Sequence, residues 1–363
     1  MKRTGNLYNY LISDENIREA INEVNRTHRW LKRHKPNKVV TWVESDINAR
    51  IVELRNIIES GFIESPMRML KRYDRNAGKW REINEPKLWP DQYIHHILIQ
   101  ALKPTFMRGM DKYCCGSIRG RGPHYGKRYI EKWMRNDFKG TKYCAELDIH
   151  HFYQSLKPEV VMERMRNLIK DHKVLDLIWR VIKNGIKIGL YTSQWFANVT
   201  LQPLDMIIRT CKNKANHYIR YMDNFTLFSS NKRKLRRLKT EIETWLNSHG
   251  LKLKDNWQIF ATADRKPNAL GFRYDRDKTL LRKKPLLRVK RQINKCYKKK
   301  KQHKRITPRL AGDVLSSIGQ FKHWDSTYIR EIYIQKGLQK MLKKIVREWS
   351  REERKKWNIS LET

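Results

Sequence analysis

The sequence predicts an α+β fold, and three observations carry that expectation. Between residues 148 and 275 the apolar pattern runs strand, helix (Pro158 to Ile169), helix (from Ser193), hairpin, helix (Lys232 to Ser248) and a closing strand near Ala269-Leu270-Gly271-Phe272. That order lacks the regular strand–helix alternation of a doubly wound sheet. Residues 61 to 147 alternate short apolar strands with turn signals, notably Asp74-Arg75-Asn76-Ala77-Gly78 and Arg119-Gly120-Arg121-Gly122-Pro123. Both ends of the chain carry helical rather than strand periodicity.

At the N-terminus, Ile17, Ile21 and Val24, then Ile51, Leu54, Ile57 and Ile58, recur at helical spacings on either side of the basic stretch Lys32-Arg33-His34-Lys35-Pro36. Toward the C-terminus, thirteen of the twenty-four residues from Arg282 to Arg305 are Lys or Arg, yet Leu286, Val289, Ile293 and Cys296 recur every three or four positions. A basic amphipathic helix is predicted there. A second stripe, Ile334, Leu338, Met341 or Leu342, Ile345 and Trp349, predicts a C-terminal helix packed against it. Four segments result: a helical extension over 1–60, an irregular α+β segment over 61–147, the strand-and-helix core over 148–280, and a basic helical segment over 281–363.

Lys and Arg number 79 against 37 Asp and Glu, a net charge of +42 on 363 residues, while twelve Trp, sixteen Tyr and ten Phe supply the apolar bulk of a real core. Such an excess calls for a polyanion, because neutralising phosphates releases condensed counterions. Nucleic acid is the expected principal partner; a merely soluble basic surface or a ribosome-associated protein is the blander alternative. The five cysteines form no Cys-x-x-Cys pair and no Cys/His quartet, so they read as reduced thiols of a cytosolic protein. No apolar run approaches the ~18 residues a spanning helix needs, and no membrane insertion or export is expected.

The chemistry is carried by two isolated acids. Tyr143-Cys144-Ala145-Glu146-Leu147 reads as a buried strand with Asp148 where it ends, and Asp223 sits in Tyr221-Met222-Asp223-Asn224, flanked by Ile219 and by Phe225 and Leu227 at period two. That pattern puts Met222-Asp223-Asn224 at the tip of a hairpin. A turn or capping aspartate is the ordinary reading of each alone. Together, two carboxylates brought to one place are what two-metal phosphoryl transfer needs, and Mg²⁺, two ions of it, suits such oxygen ligands.

Asp148 with Phe152-Tyr153, Ile188-Gly189-Leu190-Tyr191-Thr192-Ser193-Gln194, Tyr221 to Asn224, Leu251-Lys252-Leu253-Lys254 and Ala269 to Phe272 follow in the order of the reverse transcriptase blocks, over roughly residues 65 to 330. The chain resembles the reverse transcriptases of diversity-generating retroelements. Most reverse transcriptases have Gln-Gly, three residues and Ser-Pro in the central block; this chain has Ile-Gly, three residues and Ser-Gln, the pair that marks the retroelement group. The resemblance implies a right-handed polymerase fold: fingers over 61–147, palm over 148–280 with part of the fingers helices inserted, and helical thumb over 281–363.

It also implies roles. Asp148 and Asp223 would be catalytic metal ligands with the Ile149 carbonyl beside them, and Tyr153 the bulky steric gate that favours dNTPs. Arg81 would grip the incoming triphosphate, a task suited to its bidentate geometry. Ile188 would lie against the nascent base pair where the family at large has Gln, with Gly189 and Gln194 in the same block. Lys71 and Lys254 are candidates for triphosphate binding and proton donation to pyrophosphate, with solvated surface lysines as the alternative. Asn224 departs from the usual second aspartate, keeping a carbonyl oxygen but losing a charge. His95-His96 falls on a fingers helix where adjacent histidines point apart. Arg119, Arg121, Lys127, Tyr125 and Trp133 are candidate template contacts, with a solvated face as the alternative.

The implied activity is copying of a template-repeat RNA into cDNA with misincorporation opposite adenine. The implied partners are that RNA, the RNA–DNA duplex, dNTPs and a basic, barrel-forming accessory variability protein; the implied setting is the cytoplasm of a bacterial, archaeal or phage-encoded system. A retron or group II intron type enzyme is the alternative, against which Ile188, Gln194 and the expected lack of a maturase or endonuclease extension after residue 330 speak. A non-catalytic RNA-binding protein on the same scaffold is a third reading, supported by Asn224.

Overall fold

The computed structural model describes residues 2–29, 36–74, 78–334 and 337–359. Most of the basic stretch at Lys32-Arg33-His34-Lys35 and the turn residues Arg75-Asn76-Ala77 lie outside these. The chain divides into two compact units, Met1–Gly126 with Lys139–Ala261, and Lys127–Phe138 with Thr262–Thr363.

The first unit opens with α1 (Leu7–Leu11), α2 (Asp14–His28), α3 (Lys38–Ser45) and α4 (Ile47–Glu59). Their starts follow from short polar side chains that satisfy the orphan amides of a first turn: Ser13 Oγ accepts from the Asn16 amide, Asn37 from Val39 and Asp46 from Ala49. The apolar stripe Ile17, Ala20, Ile21 and Val24 is fully buried, as the periodicity predicts.

A hairpin of β1 (Arg68–Asp74) and β2 (Lys79–Glu85) follows, then α5 (Tyr93–Arg108) and α6 (Pro123–Asn136). Between the hairpin and residue 136 the apolar runs form helices rather than the short strands expected there. Helix α5 is apolar nearly all round, with Ile94, Ile97, Leu98, Ile99 and Leu102 at zero exposure, the pattern of a helix enclosed on every side. It packs against α1 and α2.

The remaining elements of this unit are β3 (Tyr143–Asp148), α7 (Phe152–Ser155), α8 (Pro158–Arg166), α9 (His172–Ile182), α10 (Tyr191–Thr200), α11 (Gln202–Thr210), β4 (His217–Tyr221), β5 (Asn224–Ser229), α12 (Lys232–Ser248) and β6 (Gln258–Ala261). The strands form one antiparallel sheet in the order β4-β5-β3-β6. Its core strands are buried on both faces, with α12 covering one through Leu235, Leu238, Ile242 and Leu246. The α+β expectation is therefore met.

Two sequence expectations are corrected. Ala269 to Phe272 does not close this sheet; β6 does. Leu270 and Gly271 both take positive φ, 54° and 90°, making the two-residue turn between β7 (Asn268–Ala269) and β8 (Phe272–Tyr274), which with β9 (Thr279–Leu281) form a separate three-stranded sheet in the second unit. The C-terminal helix, α16 (Leu338–Ile359), packs chiefly on α14 (Pro308–Gly319) rather than on the basic helix α13 (Lys283–Lys301). Helix α14, with Ala311, Val314 and Ile318 buried, packs on both α16 and α13, and α13 buries Val289, Ile293 and Cys296. Residues 127–138 join this unit through Glu131, which accepts from Thr279 Oγ1 at 2.5 Å, and the Met134 carbonyl, which accepts from Arg276 at 3.0 Å. Trp133 is buried and Lys127 is ion-paired to Glu131 at 2.6 Å, so neither offers the open face expected of a template contact.

Candidate active site

Antiparallel register places Asp148, the last residue of β3, opposite Asn224, the first of β5. Between β4 and β5 the chain turns through Met222 and Asp223, with Met222 in the left-handed region at φ 55°. A turn this tight leaves the Asp223 carboxylate beyond the strand ends, beside Asp148. The Ile149 amide donates to the Asp223 carbonyl at 3.1 Å, and the Lys254 amide to the Asp148 carbonyl at 2.8 Å. Both aspartates are thus tied to the sheet through backbone. Lys254 Nζ lies 2.5 Å from Asp148 Oδ2, and Asn224 Nδ2 donates to Asp223 Oδ1 at 3.0 Å.

Burial, and then the neighbouring Asp148 charge, raise the pKa of Asp223 above the usual carboxylate range. Asp148 Oδ1 is buried without a hydrogen-bond partner. An orphaned carboxylate oxygen beside a second acid that resists ionisation fits a cation between them. Among the described residues no group of three or more His, Cys, Asp or Glu could hold a metal by protein ligands alone. A donor set of two carboxylates fits Mg²⁺, which is commonly bound by one or two carboxylates and completed by water and substrate phosphates. Tyr153, on α7, is half-buried; burial and then the Asp223 charge raise the pKa of its phenol.

The β1–β2 hairpin carries Arg81 and Lys71, each held by an acid across the ladder: Arg81 Nε to Asp74 Oδ2 at 2.8 Å and Lys71 Nζ to Glu82 Oε1 at 3.6 Å. The base of β2 is clasped by the central block. Asn84 donates its amide to the Ile188 carbonyl at 2.7 Å. A Cβ on Gly189 would stand 2.1 Å from the Asn84 carbonyl oxygen, and its φ of 117° is one side chains rarely adopt. Only glycine fits there. Ile188 is half-buried. Gln194, on α10, lines a cleft of about 180 Å³ with His95, His96, Gly189 and Tyr191. The histidines do point apart: His95 Nε2 is 3.2 Å from Glu64 Oε1, whereas His96 stacks on Tyr191 at 4.1 Å and burial lowers its pKa to about 4.

The fold therefore gathers Asp148, Ile149, Tyr153, Asp223, Asn224 and Lys254 at one end of the sheet, and Ile188, Gly189 and Gln194 at the root of the hairpin. Sequence reasoning missed what lies beneath Asp223. Arg220 is fully buried and makes a two-toothed pair with Asp205, at 2.7 and 2.6 Å, while Tyr218 also donates to Asp205. Burial opposes the Arg220 charge, but the Asp205 carboxylate more than offsets this and raises the guanidinium pKa. Period two puts Tyr218 and Arg220 on one face of the strand leading into the turn, but nothing in that spacing marks Arg220 as buried or paired.

The family described as reverse transcriptase (RNA-dependent DNA polymerase) matches over residues 71–274. Among curated proteins, the chain is 31% identical over 110 residues to nuclear intron maturase 1, mitochondrial, of Arabidopsis thaliana, covering 30% of this chain and 15% of that one. It is 23% identical over 155 residues to protein YkfC of Escherichia coli (strain K12), covering 42% and 40%. The chain spans between 15% and 40% of the length of the curated relatives it matches. Among solved structures, apo telomerase from Candida tropicalis truncated from its C-terminal domain superposes with a TM-score of 0.44 at 13% identity, over 61% of this chain and 55% of that one.

Proposed function

The chain belongs to the reverse transcriptase (RNA-dependent DNA polymerase) family, and from that premise we propose that it is the RNA-templated DNA polymerase of a diversity-generating retroelement. The observation that carries the polymerase reading is the pair of aspartates joined across β3 and the β4–β5 turn, with one orphaned carboxylate oxygen and one raised carboxyl between them. Asp148 and Asp223, with the Ile149 carbonyl, would hold Mg²⁺. When bound, the two ions supply the charge that activates a primer 3′-hydroxyl and stabilises the leaving pyrophosphate.

The chain's own residues do the rest. Tyr153 excludes a ribose 2′-hydroxyl by bulk and so selects dNTPs. Arg81 exchanges Asp74 for the triphosphate, assisted by Lys71. Lys254, hydrogen-bonded to Asp148, gives a proton to pyrophosphate. Asn224 keeps its place by donating to Asp223 but brings no charge, so Mg²⁺ affinity is lower than with a second aspartate. Asn224→Asp should lower the Mg²⁺ concentration needed for half-maximal activity; an unchanged rate and Mg²⁺ profile would make the departure immaterial.

The retroelement reading rests on Ile188 and Gln194. An apolar group where a hydrogen-bonding side chain would align the nascent pair weakens discrimination, since specificity is a difference in transition-state binding. The +42 charge suits a structured template-repeat RNA and the RNA–DNA duplex, with a barrel-like accessory variability protein as the further partner, in the cytoplasm. The match to an intron maturase favours a second reading, a group II intron type enzyme. Deep sequencing of cDNA made on template-repeat RNA with Mg²⁺, with and without the accessory protein, separates them. Substitutions concentrated at template adenines support the first, faithful cDNA the second, and RNA binding with no cDNA would point to a non-catalytic RNA-binding protein.

A further inference from the structure

We propose that Arg220 is a positioning residue for Asp223, acting as a buried strut beneath the turn; the inference rests on the polymerase reading. Arg220 is the bulkiest fully buried side chain among the described residues. A guanidinium has five N–H donors, and five contacts meet them here: Asp205 Oδ1 and Oδ2, Asn198 Oδ1 at 2.9 Å, the Asn198 carbonyl at 3.3 Å and the Met222 carbonyl at 3.2 Å. The last of these is the carbonyl immediately before Asp223.

Every partner is itself tied down. Asn198, on α10, donates Nδ2 to the Gly116 carbonyl at 2.8 Å. A Cβ on Gly116 would come within 2.7 Å of the Met222 amide nitrogen, so that backbone lies flat against the turn. The strand-like links Cys115 amide to Arg220 carbonyl, 2.8 Å, and Arg220 amide to Tyr113 carbonyl, 3.1 Å, hold Arg220 from its other side. Met222 occupies a left-handed conformation that a non-glycine residue adopts at a cost, and such conformations persist where their surroundings over-determine them. Arg220 and Gly116 provide that determination. A simple structural salt bridge would not need the bond to the Met222 carbonyl.

Arg220→Met combined with Asp205→Leu removes the strut without leaving a buried charge unpaired, an exchange that buried ion pairs commonly tolerate. The double variant should keep the wild-type unfolding profile and bind RNA as the wild type does. Its Mn²⁺ affinity, read from the free-ion paramagnetic resonance signal, should fall about 10- to 100-fold, the range seen when groups orienting metal ligands are lost. Its kcat should fall in parallel, with the KM for dNTP unchanged. Arg220→Lys keeps the charge but not the fork, and should show the same losses in smaller measure; it decides the matter if the double variant does not fold. Wild-type Mn²⁺ affinity and kcat in a folded variant would reduce Arg220 to core packing. Wild-type protein that neither holds Mn²⁺ nor makes cDNA would overturn the polymerase reading, and the strut with it.

Discussion

Two arginines of the first unit each meet an aspartate, and they could hardly be placed more differently. Arg220 and Asp205 have side chains 0% and 2% exposed, whereas Arg81 and Asp74 are 42% and 27% exposed on the β1–β2 hairpin. The buried pair is part of a network with no donor to spare, so it holds one arrangement. The exposed pair meets through Arg81 Nε in high dielectric, an interaction worth about 0–1 kcal/mol, and can be exchanged for a better anion at little cost. The first kind of pair suits holding a catalytic acid; the second suits a group that must release one partner to take a triphosphate.

The sharpest test leaves the supports intact and removes what they support. Asp223→Ala should lower cDNA synthesis by about three orders of magnitude, the scale on which loss of a preorganised charge-stabilising group acts, while RNA binding measured by filter retention stays as in the wild type. Retained synthesis would mean that the buried network serves something other than this carboxylate.

Next in size is the stability contrast. Arg220→Ala strands a buried Asp205 and should destabilise the fold by about 3–5 kcal/mol in urea titration. Arg81→Ala should stay within about 1 kcal/mol of wild type. Equal losses would erase the distinction between the two pairs.

The KM for dNTP alone should reverse that ranking, since loss of Arg220 leaves it unchanged. Arg81→Ala should raise the KM for dNTP about tenfold, as loss of a hydrogen bond to a charged group implies, with a smaller change in kcat. Asp74→Ala, which frees Arg81 from its competitor, should lower that KM.

The smallest effect concerns pH. Asp223 has a raised pKa in the folded state, so the folded chain takes up its proton at a higher pH than the unfolded chain does. Its contribution to stability is therefore present at low pH and is lost as pH rises through the folded value. In metal-free protein Asp223→Asn should melt above the wild type at neutral pH, with the gap closing on acidification. An unchanged gap across the titration would show that the carboxyl is not strained by its surroundings.

What the sequence determined by itself was local. Lys232 to Ser248 is a helix because its apolar residues recur at helical spacing after an Asn231 cap, and Tyr221 to Asn224 is a turn because period-two apolar residues flank it. Those patterns, with the order of the blocks, were enough to place Asp148 and Asp223 at strand ends. Lys254 was a different matter: one lysine among many in sequence, it is singled out by a hydrogen bond to an acid 106 residues earlier. The turn at Leu270-Gly271 was misread as strand because two residues of positive φ are invisible to hydropathy. Arg220 reads in the chain as one more cation of a very basic protein. Only the tertiary structure buries it against Asp205, Asn198 and the Met222 carbonyl, because burial and pairing are properties of what the fold brings together, and no spacing along one strand encodes them.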